Sequence, residues 1–250
     1  MTTAETSTAG SVKEKLIVAL DVGTAGEARD LVASLRGRVG MFKIGTQLFT
    51  SAGPDFVREV VGLGERVFLD LKFHDIPNTV AAGCREAVRM GVSLFNVHAS
   101  GGSEMMRRAA EATRETAARE NLPRPRLIAV TVLTSADRAT LAEVGVAATP
   151  EEQATALARL AERAGLDGVV ASPHEIAPVR ASVARRDFLV VTPGVRPANA
   201  PHDDQKRVMT PAEAVRAGAD YLVVGRAVLN APDRARAVAR ILEEMEGLNH

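Results

Sequence analysis

Short apolar runs rich in β-branched residues alternate along the chain with longer segments in which apolar residues recur at helical spacing. The short runs have the length and composition of buried strands, and the longer segments those of amphipathic helices. The predicted strands cover residues 16–21, 41–45, 66–73, 94–99, 126–133, 168–172, 188–192 and 221–225. The predicted helices cover residues 25–35, 53–61, 79–90, 103–120, 136–143 and 232–246, and further helices start after Thr149, Ser172 and Thr210.

The boundaries of these elements repeat along the chain. Three predicted helices end in Arg-Xaa-Gly directly before a strand, at Gly91, Gly165 and Gly218. Glycine readily adopts the left-handed conformation that ends a helix. The recurrence indicates repeated βα units, and eight of them predict an α/β fold, a single-domain (β/α)₈ TIM barrel over residues 15–250. A doubly wound open sheet is the alternative, but residues 21–26 match its glycine-rich phosphate loop poorly.

Composition narrows the class of protein. The 250 residues are 46% hydrophobic with a formal net charge of zero, which is typical of a globular domain and argues against nucleic acid or an anionic membrane as main partner. No apolar run reaches the about 18 residues of a membrane helix. The single Cys84 cannot form an intrachain disulfide, which favours a cytoplasmic location. Residues 1–14, with their Thr/Ala/Ser-rich start, predict a disordered tail rather than a signal peptide.

The central stretch, residues 67–79, places charges inside an apolar strand. Side chains alternate along a strand, so Asp70 and Lys72 are expected on one face and their apolar neighbours on the other. Such a pair is costly to bury unless both charges find partners. A proline ends the strand and leaves Asp75 in the loop at its carboxyl end, where Asp75 or Asn78 is expected to cap the next helix. The pattern favours an active site, although a structural ion pair followed by a helix cap also fits it.

Further polar residues collect at the predicted carboxyl ends of the strands, where barrel enzymes have their active sites. They are Asp21, Lys43, Asp70, Lys72, Asp75, His98, Thr134, Arg196 and Arg226. Four of these, Lys43, Asp70, Lys72 and Asp75, alternate in sign along the sequence. Neighbouring opposite charges at ~4 Å attract by about 4 kcal/mol at an effective dielectric near 20. The five histidines are scattered and the carboxylates are interleaved with lysines, so we predict no metal site.

The last two strands end in residues suited to a phosphate group. Gly225 permits close approach of the backbone, while Arg226 and Arg196 offer guanidinium donors. Loops after strands seven and eight often bind phosphate in these barrels. The irregular stretch 197–209 predicts a functional lid, in which Gln205 and the two basic residues after it could donate hydrogen bonds to a phosphate. A solvated loop with ordinary surface charges is the alternative.

Taken together, these residues resemble the bacterial orotidine 5′-phosphate decarboxylase family. The resemblance runs from residue 16 to residue 229. It is carried by Leu20-Asp21, Phe42-Lys43-Ile-Gly45, Asp70-Leu-Lys72-Phe-His-Asp75-Ile-Pro-Asn-Thr79, Val130-Thr-Val-Leu-Thr134, Thr192-Pro-Gly-Val-Arg196, Asp204-Gln205-Lys-Arg and Val224-Gly225-Arg226. The short pattern Asp-Xaa-Lys-Xaa-Xaa-Asp is moderately specific, whereas the full set is highly specific.

The resemblance implies a carboxy-lyase that needs no cofactor and converts orotidine 5′-phosphate to UMP and CO₂ in pyrimidine biosynthesis. It implies that Lys72 protonates C6 of the pyrimidine, with Asp70, Asp75 and Lys43 as the other catalytic residues. It implies a homodimer with shared active sites, in which Asp75, Ile76 and Thr79 reach the neighbouring subunit. The substrate-binding residues that it implies are Asp21, Lys43, Asp70, Asp75, Ile76, Thr79, Thr134, Arg196, Gln205, Gly225 and Arg226.

Two other functions remain open from the sequence. A related group of Mg²⁺-dependent phosphosugar lyases and decarboxylases shares the short central pattern, but carries an acidic metal ligand where this chain has Lys43. A barrel that binds a nucleotide without catalysis is the other possibility, and nothing in the charge pattern favours it.

Overall fold

Eight parallel strands form a closed barrel, with each strand paired to its neighbours in sequence and the last paired to the first. The structure is a computed structural model that describes residues 11–197 and 209–247. The strands are β1 Leu16–Ala19, β2 Met41–Gly45, β3 Val67–Phe73, β4 Leu94–His98, β5 Arg126–Val130, β6 Gly168–Val170, β7 Leu189–Pro193 and β8 Tyr221–Val224. The predicted TIM barrel is confirmed, and the open-sheet alternative is wrong because β1 and β8 are hydrogen-bonded.

Helices connect the strands around the outside of the barrel. Over the described residues they are α1 Ala25–Leu35, α2 Thr46–Gly62, α3 Pro77–Arg89, α4 Gly102–Arg119, α5 Arg138–Glu143, α6 Pro150–Arg163, α7 Ile176–Ser182, α8 Pro211–Ala217, α9 Arg226–Leu229 and α10 Arg234–Met245. The sequence predicted only the second half of α2, because Gly53 and Pro54 interrupt the helical pattern and the helix is kinked at Gly53. It did not predict the four-residue α9.

Alternation along the strands divides the apolar side chains into two cores. One face of each strand points into the barrel, where Ile17, Phe68 and Leu94 pack with Val191. The other face packs against the helices in a larger cluster that includes Phe95. Burying each large apolar side chain contributes about 1.5–3 kcal/mol. Because these side chains fill the barrel interior, we expect space for a ligand only toward the carboxyl ends of the strands.

The predicted helix boundaries are largely confirmed. Gly91, Gly165 and Gly218 all have positive φ, at 75°, 81° and 106°, as a left-handed C-terminal residue requires. Thr149 and Thr210 form capping boxes with the glutamates three residues later. These local signals fix where each helix stops and the next strand begins.

The prediction for the start of α3 is wrong. Ile76 occupies the N-cap position and no side chain caps the helix. Asp75 instead accepts a hydrogen bond from the N–H of Ile76, at 2.6 Å. Pro77 at the first helical position has no N–H to satisfy, which reduces the need for a cap.

The fifth strand ends at Val130, three residues before its predicted end. After it, Thr131 still bonds the carbonyl of Val170 through both its N–H and its hydroxyl, at 3.3 and 2.8 Å. The chain then leaves the barrel because Val132 packs into a separate small cluster with Leu141 and Ala154. The apolar sequence pattern continues through this bend, so it did not reveal the strand end.

The described chain starts with a turn at the amino-terminal end of the barrel. Residues Val12–Lys15 form one 3₁₀ turn, which overlaps the end of the predicted tail. Glu14 pairs with Arg66 at 3.2 Å, and Gly40 passes so close that a Cβ atom there would lie 2.4 Å from the Glu14 carbonyl oxygen. The rest of the predicted tail, residues 1–10, lies outside the described residues. None of the described helices has the length and apolarity needed to cross a membrane.

Candidate active site

A cavity of about 270 Å³ opens at the carboxyl ends of the strands. One part of its wall is apolar and includes Phe68, Val130, Val132, Val170 and Val223. The charged part consists of Asp21, Lys43, Asp70, Lys72, Arg196 and Arg226. Its volume approaches the range of about 300–1,000 Å³ that is usual for pockets holding small organic ligands.

A chain of alternating charges crosses the floor of this cavity. The ammonium group of Lys43 lies 3.0 Å from Asp21 Oδ1 and 3.3 Å from Asp70 Oδ2. The ammonium group of Lys72 lies 2.7 Å from Asp70 Oδ1. Gly45 leaves room for the first of these lysines, since a Cβ atom there would lie 3.0 Å from Lys43 Nζ. Three of the four charges predicted to alternate, Lys43, Asp70 and Lys72, are therefore in direct contact. The fourth contact is made by Asp21 and not by the predicted Asp75, which is exposed outside the cavity.

Neighbouring opposite charges keep Asp70 and Lys43 ionised. Burial opposes ionisation of Asp70, but the attraction of Lys43 and Lys72 and their hydrogen bonds outweigh it and hold the pKa of Asp70 below its usual range. Burial likewise disfavours the charged form of Lys43, but Asp70 and Asp21 outweigh it and raise the pKa of Lys43. Both groups are therefore charged at neutral pH.

The sequence analysis missed Asn96, which is buried at the centre of β4 and touches this chain of charges. Its Nδ2 donates to Asp70 Oδ1 at 2.7 Å, and its Oδ1 accepts from the N–H of Lys72 at 2.8 Å. Lys72 itself has a φ of 54°, a left-handed conformation that costs of order 1–3 kcal/mol for a residue other than glycine. A polar residue inside an otherwise apolar strand was the available signal for Asn96.

The structure brings the predicted phosphate residues to the same cavity. Arg196, Gly225 and Arg226 line it, with Arg226 at the first position of α9. Thr134, which was predicted to contact the base, lines the cavity as well. A Cβ atom on Gly225 would lie 3.6 Å from Asp21 Oδ2, so Gly225 lies directly beside the charged part of the cavity. The predicted Gln205, with Lys206 and Arg207, lies outside the described residues.

Four predicted residues, Asp75, Ile76, Thr79 and His98, do not line the cavity of their own chain. Asp75, Ile76 and Thr79 are exposed on the turn after β3 and the first turn of α3, and Ile76 is 66% exposed. His98, at the end of β4, is half-buried beside His74, with ring centroids 5.4 Å apart. Burial and the charges of His74 and Lys72 lower the pKa of His98.

The carboxylates of the cavity have lysines as neighbours where a metal site would need free ligands. Among residues 11–197 and 209–247, no group of three or more His, Cys, Asp or Glu side chains is arranged to hold a metal ion. Lys43 lies between Asp21 and Asp70, so its ammonium group already provides a cation between the two carboxylates.

Known proteins that share one name align with nearly the whole of this chain. It is 56% identical to orotidine 5′-phosphate decarboxylase of Syntrophotalea carbinolica over 234 residues, covering 93% of this chain and 95% of the relative. It is 55% identical to orotidine 5′-phosphate decarboxylase of Moorella thermoacetica over 235 residues, covering 94% and 93% of the two chains.

Solved structures and a family model agree with these relatives. The crystal structure of orotidine 5′-phosphate decarboxylase from Lactobacillus acidophilus superposes with a TM-score of 0.81 at 35% identity, covering 92% of this chain and 98% of the other. An uncharacterised conserved protein from Geobacillus kaustophilus has a TM-score of 0.80 at 37% identity, covering 92% and 99%. The family model matches residues 14–241. This chain belongs to the orotidine 5′-phosphate decarboxylase / HUMPS family.

Proposed function

We propose that this chain is a carboxy-lyase that converts orotidine 5′-phosphate to UMP and CO₂ in pyrimidine biosynthesis. The relatives that cover nearly the whole chain are decarboxylases of this nucleotide. The observation that carries the proposal in this molecule is the Lys72 ammonium group, held 2.7 Å from Asp70 in a cavity with an apolar wall. An ammonium group fixed in this way can meet negative charge as it develops on a substrate.

The reaction breaks the bond between C6 of the pyrimidine and its carboxylate carbon. CO₂ leaves without the bonding electron pair, which remains at C6, and Lys72 Nζ transfers a proton to that carbon. The products are UMP and a neutral lysine, which regains its proton from solvent. The Lys72 side chain is 34% exposed, which allows this exchange with water.

Asp70 has two parts in this mechanism. Its carboxylate orients Lys72 from one oxygen and Lys43 from the other, at 2.7 and 3.3 Å. It also places negative charge close to the site proposed for the substrate carboxylate, which disfavours the substrate relative to the neutral CO₂ that leaves. Because both lysines hold Asp70 ionised, this charge is present before substrate binds.

The remaining cavity residues hold the parts of the nucleotide that do not react. Asp21 and Lys43 bind ribose hydroxyls, and Thr134 contacts the base. The 5′-phosphate is bound by Gly225 and Arg226, with Arg196 and Gln205 as further donors. Binding energy from this remote group can orient the reacting bond. Residues 198–208 of the predicted lid lie outside the described residues.

We propose that two copies of the chain complete each other's sites. Asp75, Ile76 and Thr79 are exposed and lie outside the cavity of their own chain, which supports a role in the site of a partner. Ile76 is 66% exposed at the start of α3, which leaves its side chain accessible to a second subunit. Each site of the homodimer would then combine Lys72 of one subunit with Asp75 of the other. We expect this dimer in the cytoplasm, where the unpaired Cys84 stays reduced.

The competing function is that of a Mg²⁺-dependent phosphosugar lyase. Lys43 disfavours it, since its ammonium group lies between the two carboxylates that a metal would need. The test is release of CO₂ from orotidine 5′-phosphate by the purified protein, with and without EDTA. We expect the same rate in both. No turnover, or turnover that EDTA abolishes and Mg²⁺ restores, would reject the proposed function.

A further inference from the structure

The strand that carries Asp70 and Lys72 does not pair regularly with its neighbour. Leu69 of β3 pairs with Phe95 of β4, but the next pair joins Phe73 to Val97. Three residues of β3 therefore lie opposite the single residue Asn96. A bulge of this kind removes ladder hydrogen bonds and changes the direction of the side chains that it carries.

Asn96 replaces the missing ladder contact with its side chain. Lys72 is the bulged residue with a left-handed backbone, and its N–H donates to Asn96 Oδ1 at 2.8 Å. The other end of the same amide donates to Asp70 Oδ1 at 2.7 Å. The orientation of the amide is fixed by these partners, because the backbone N–H needs an acceptor and the carboxylate needs a donor.

We propose that Asn96 is a positioning residue for the Asp70–Lys72 pair: one buried amide holds the carboxylate of Asp70 and the backbone of Lys72 together on a bulged strand. This inference rests on the proposed decarboxylase function. Asn96 is only 1% exposed, so its two hydrogen bonds are shielded from competing water. The amide is neutral, and it therefore contributes orientation to the pair without changing the net charge of the site.

No other common side chain of this size satisfies both partners at neutral pH. Leucine offers neither a donor nor an acceptor. Aspartate keeps an acceptor for the Lys72 N–H but, when ionised, presents a second negative charge to Asp70. When its carboxyl group is protonated, however, it can accept from Lys72 and donate to Asp70, as the amide does. The variant Asn96→Asp should thus depend on pH in a way that reports on positioning.

The pH dependence of Asn96→Asp must be separated from that of the charged and titratable groups around residue 96. Asp70 and Lys72 face it from β3, with Lys43 beyond Asp70, and His98 lies two residues further along β4. On the other side, β5 pairs the apolar Ile128 with Asn96. Because the same groups are present in the wild type, the ratio of variant to wild-type kcat isolates the effect of the introduced carboxyl group.

The experiment measures kcat, KM and thermal melting for Asn96→Ala and Asn96→Asp with orotidine 5′-phosphate as substrate. Loss of a hydrogen bond to a charged group predicts that kcat of Asn96→Ala falls about 10- to 100-fold while KM changes little. For Asn96→Asp, the ratio to wild-type kcat should rise as the pH is lowered from about 8 to about 5, because burial and Asp70 raise the pKa of the introduced group. If Asn96→Ala does not fold, the isosteric Asn96→Asp decides.

Leu94→Ala is the matched control, since Leu94 also points into the barrel from β4 but lies outside the cavity lining. It should lower the melting temperature and leave kcat unchanged. Wild-type kcat in Asn96→Ala, wild-type kcat in Asn96→Asp at about pH 8, or a ratio for Asn96→Asp that does not depend on pH would overturn the inference. Absence of turnover in the wild-type protein would instead reject the proposed function, so the two failures are distinguishable.

Discussion

Asp70 is the residue on which both lysines of the cavity depend. Each of its oxygens contacts a different ammonium group, and a third donor, the Asn96 amide, fixes its orientation. Removing one member of a buried charge pair leaves the other without compensation, which typically costs about 3–5 kcal/mol. Substitutions in this group are therefore expected to alter the positions of the remaining charges as well as remove one of them.

At the phosphate end of the cavity, Arg226→Ala tests whether the guanidinium group binds the substrate. A charge-assisted contact of about 1.5–3 kcal/mol predicts a fall of kcat/KM by roughly 10- to 100-fold with orotidine 5′-phosphate. The loss should largely disappear with orotidine, which lacks the phosphate. Steady-state kinetics on both substrates measure this.

Arg58→Ala is a suitable control for the phosphate experiment, since Arg58 is an exposed arginine on α2 that pairs with Asp55. It should leave both substrates unaffected. An equal loss on the two substrates in Arg226→Ala would mean that Arg226 supports the local structure rather than the phosphate.

Single residues of the site were predictable from two patterns, the alternation of side chains along a strand and the position of polar residues at strand ends. Alternation along β3 placed Asp70 and Lys72 on one face, and both now line the cavity. Asn96 was missed because its role depends on a bulge in the pairing of β3 with β4, which no local pattern encodes. The expected helix cap at Asp75 failed because Pro77 already removes one unsatisfied donor.

At the scale of the elements, β6 and β7 approach each other closely at Gly168, which pairs with Leu189. A Cβ atom on Gly168 would lie 2.3 Å from the carbonyl oxygen of Leu189, a backbone atom that cannot move without shifting β7. Both strands contribute to the cavity wall through Val170 and Pro193. The pairing of β6 with β7 at this position therefore requires a residue without a side chain, Gly168.

Gly168→Ala should therefore destabilise the barrel by about 1–3 kcal/mol or more, as overpacking of a tight core does. Chemical denaturation of the wild type and the variant measures the difference. Gly62→Ala is the control, because its added Cβ would meet nothing within 4 Å. That substitution in α2 should leave stability unchanged or raise it by about 0.4–1 kcal/mol. Equal stabilities for the two variants would contradict the close approach.

Element boundaries were predicted well where residues carry a backbone requirement. The positive φ values at Gly91, Gly165 and Gly218 confirm the three predicted helix ends. Boundaries set by tertiary packing were not predictable. The chain leaves the barrel after Val130 because Val132 finds apolar partners in a separate cluster, although the sequence continues in the same apolar pattern.

For the whole molecule, repetition made the architecture predictable. Eight alternating units of strand and helix indicated the barrel, and its carboxyl end then gathered residues that are far apart in sequence. The proposed assembly of two chains has no such signal in one sequence, and only the exposure of the turn at residues 75–79 supports it.

The shared site of the proposed dimer can be tested with hybrids. Two inactive variants, Lys72→Ala and Asp75→Asn, are unfolded together and allowed to reassociate. In a hybrid dimer, one site receives both defects and the other receives intact Lys72 and intact Asp75 from opposite subunits. Random pairing of equal amounts should then restore about a quarter of the wild-type sites, measured as turnover.

Each variant refolded alone serves as the control for this experiment and should remain inactive. If Asp75 acts within its own subunit, every hybrid site keeps one defect. Mixtures in which hybrids form but no activity returns would therefore contradict the shared site.

In the proposed mechanism, Lys72 supplies the proton in a decarboxylation that the chain carries out with its own side chains. The most direct measurement is CO₂ release from orotidine 5′-phosphate by Lys72→Ala in EDTA, with folding checked by circular dichroism. Lys13→Ala, at the opposite end of the barrel, is the matched control and should have wild-type activity. We expect a folded Lys72→Ala protein without detectable turnover, whereas a folded variant that keeps its rate to within about 10-fold of wild type would contradict the account.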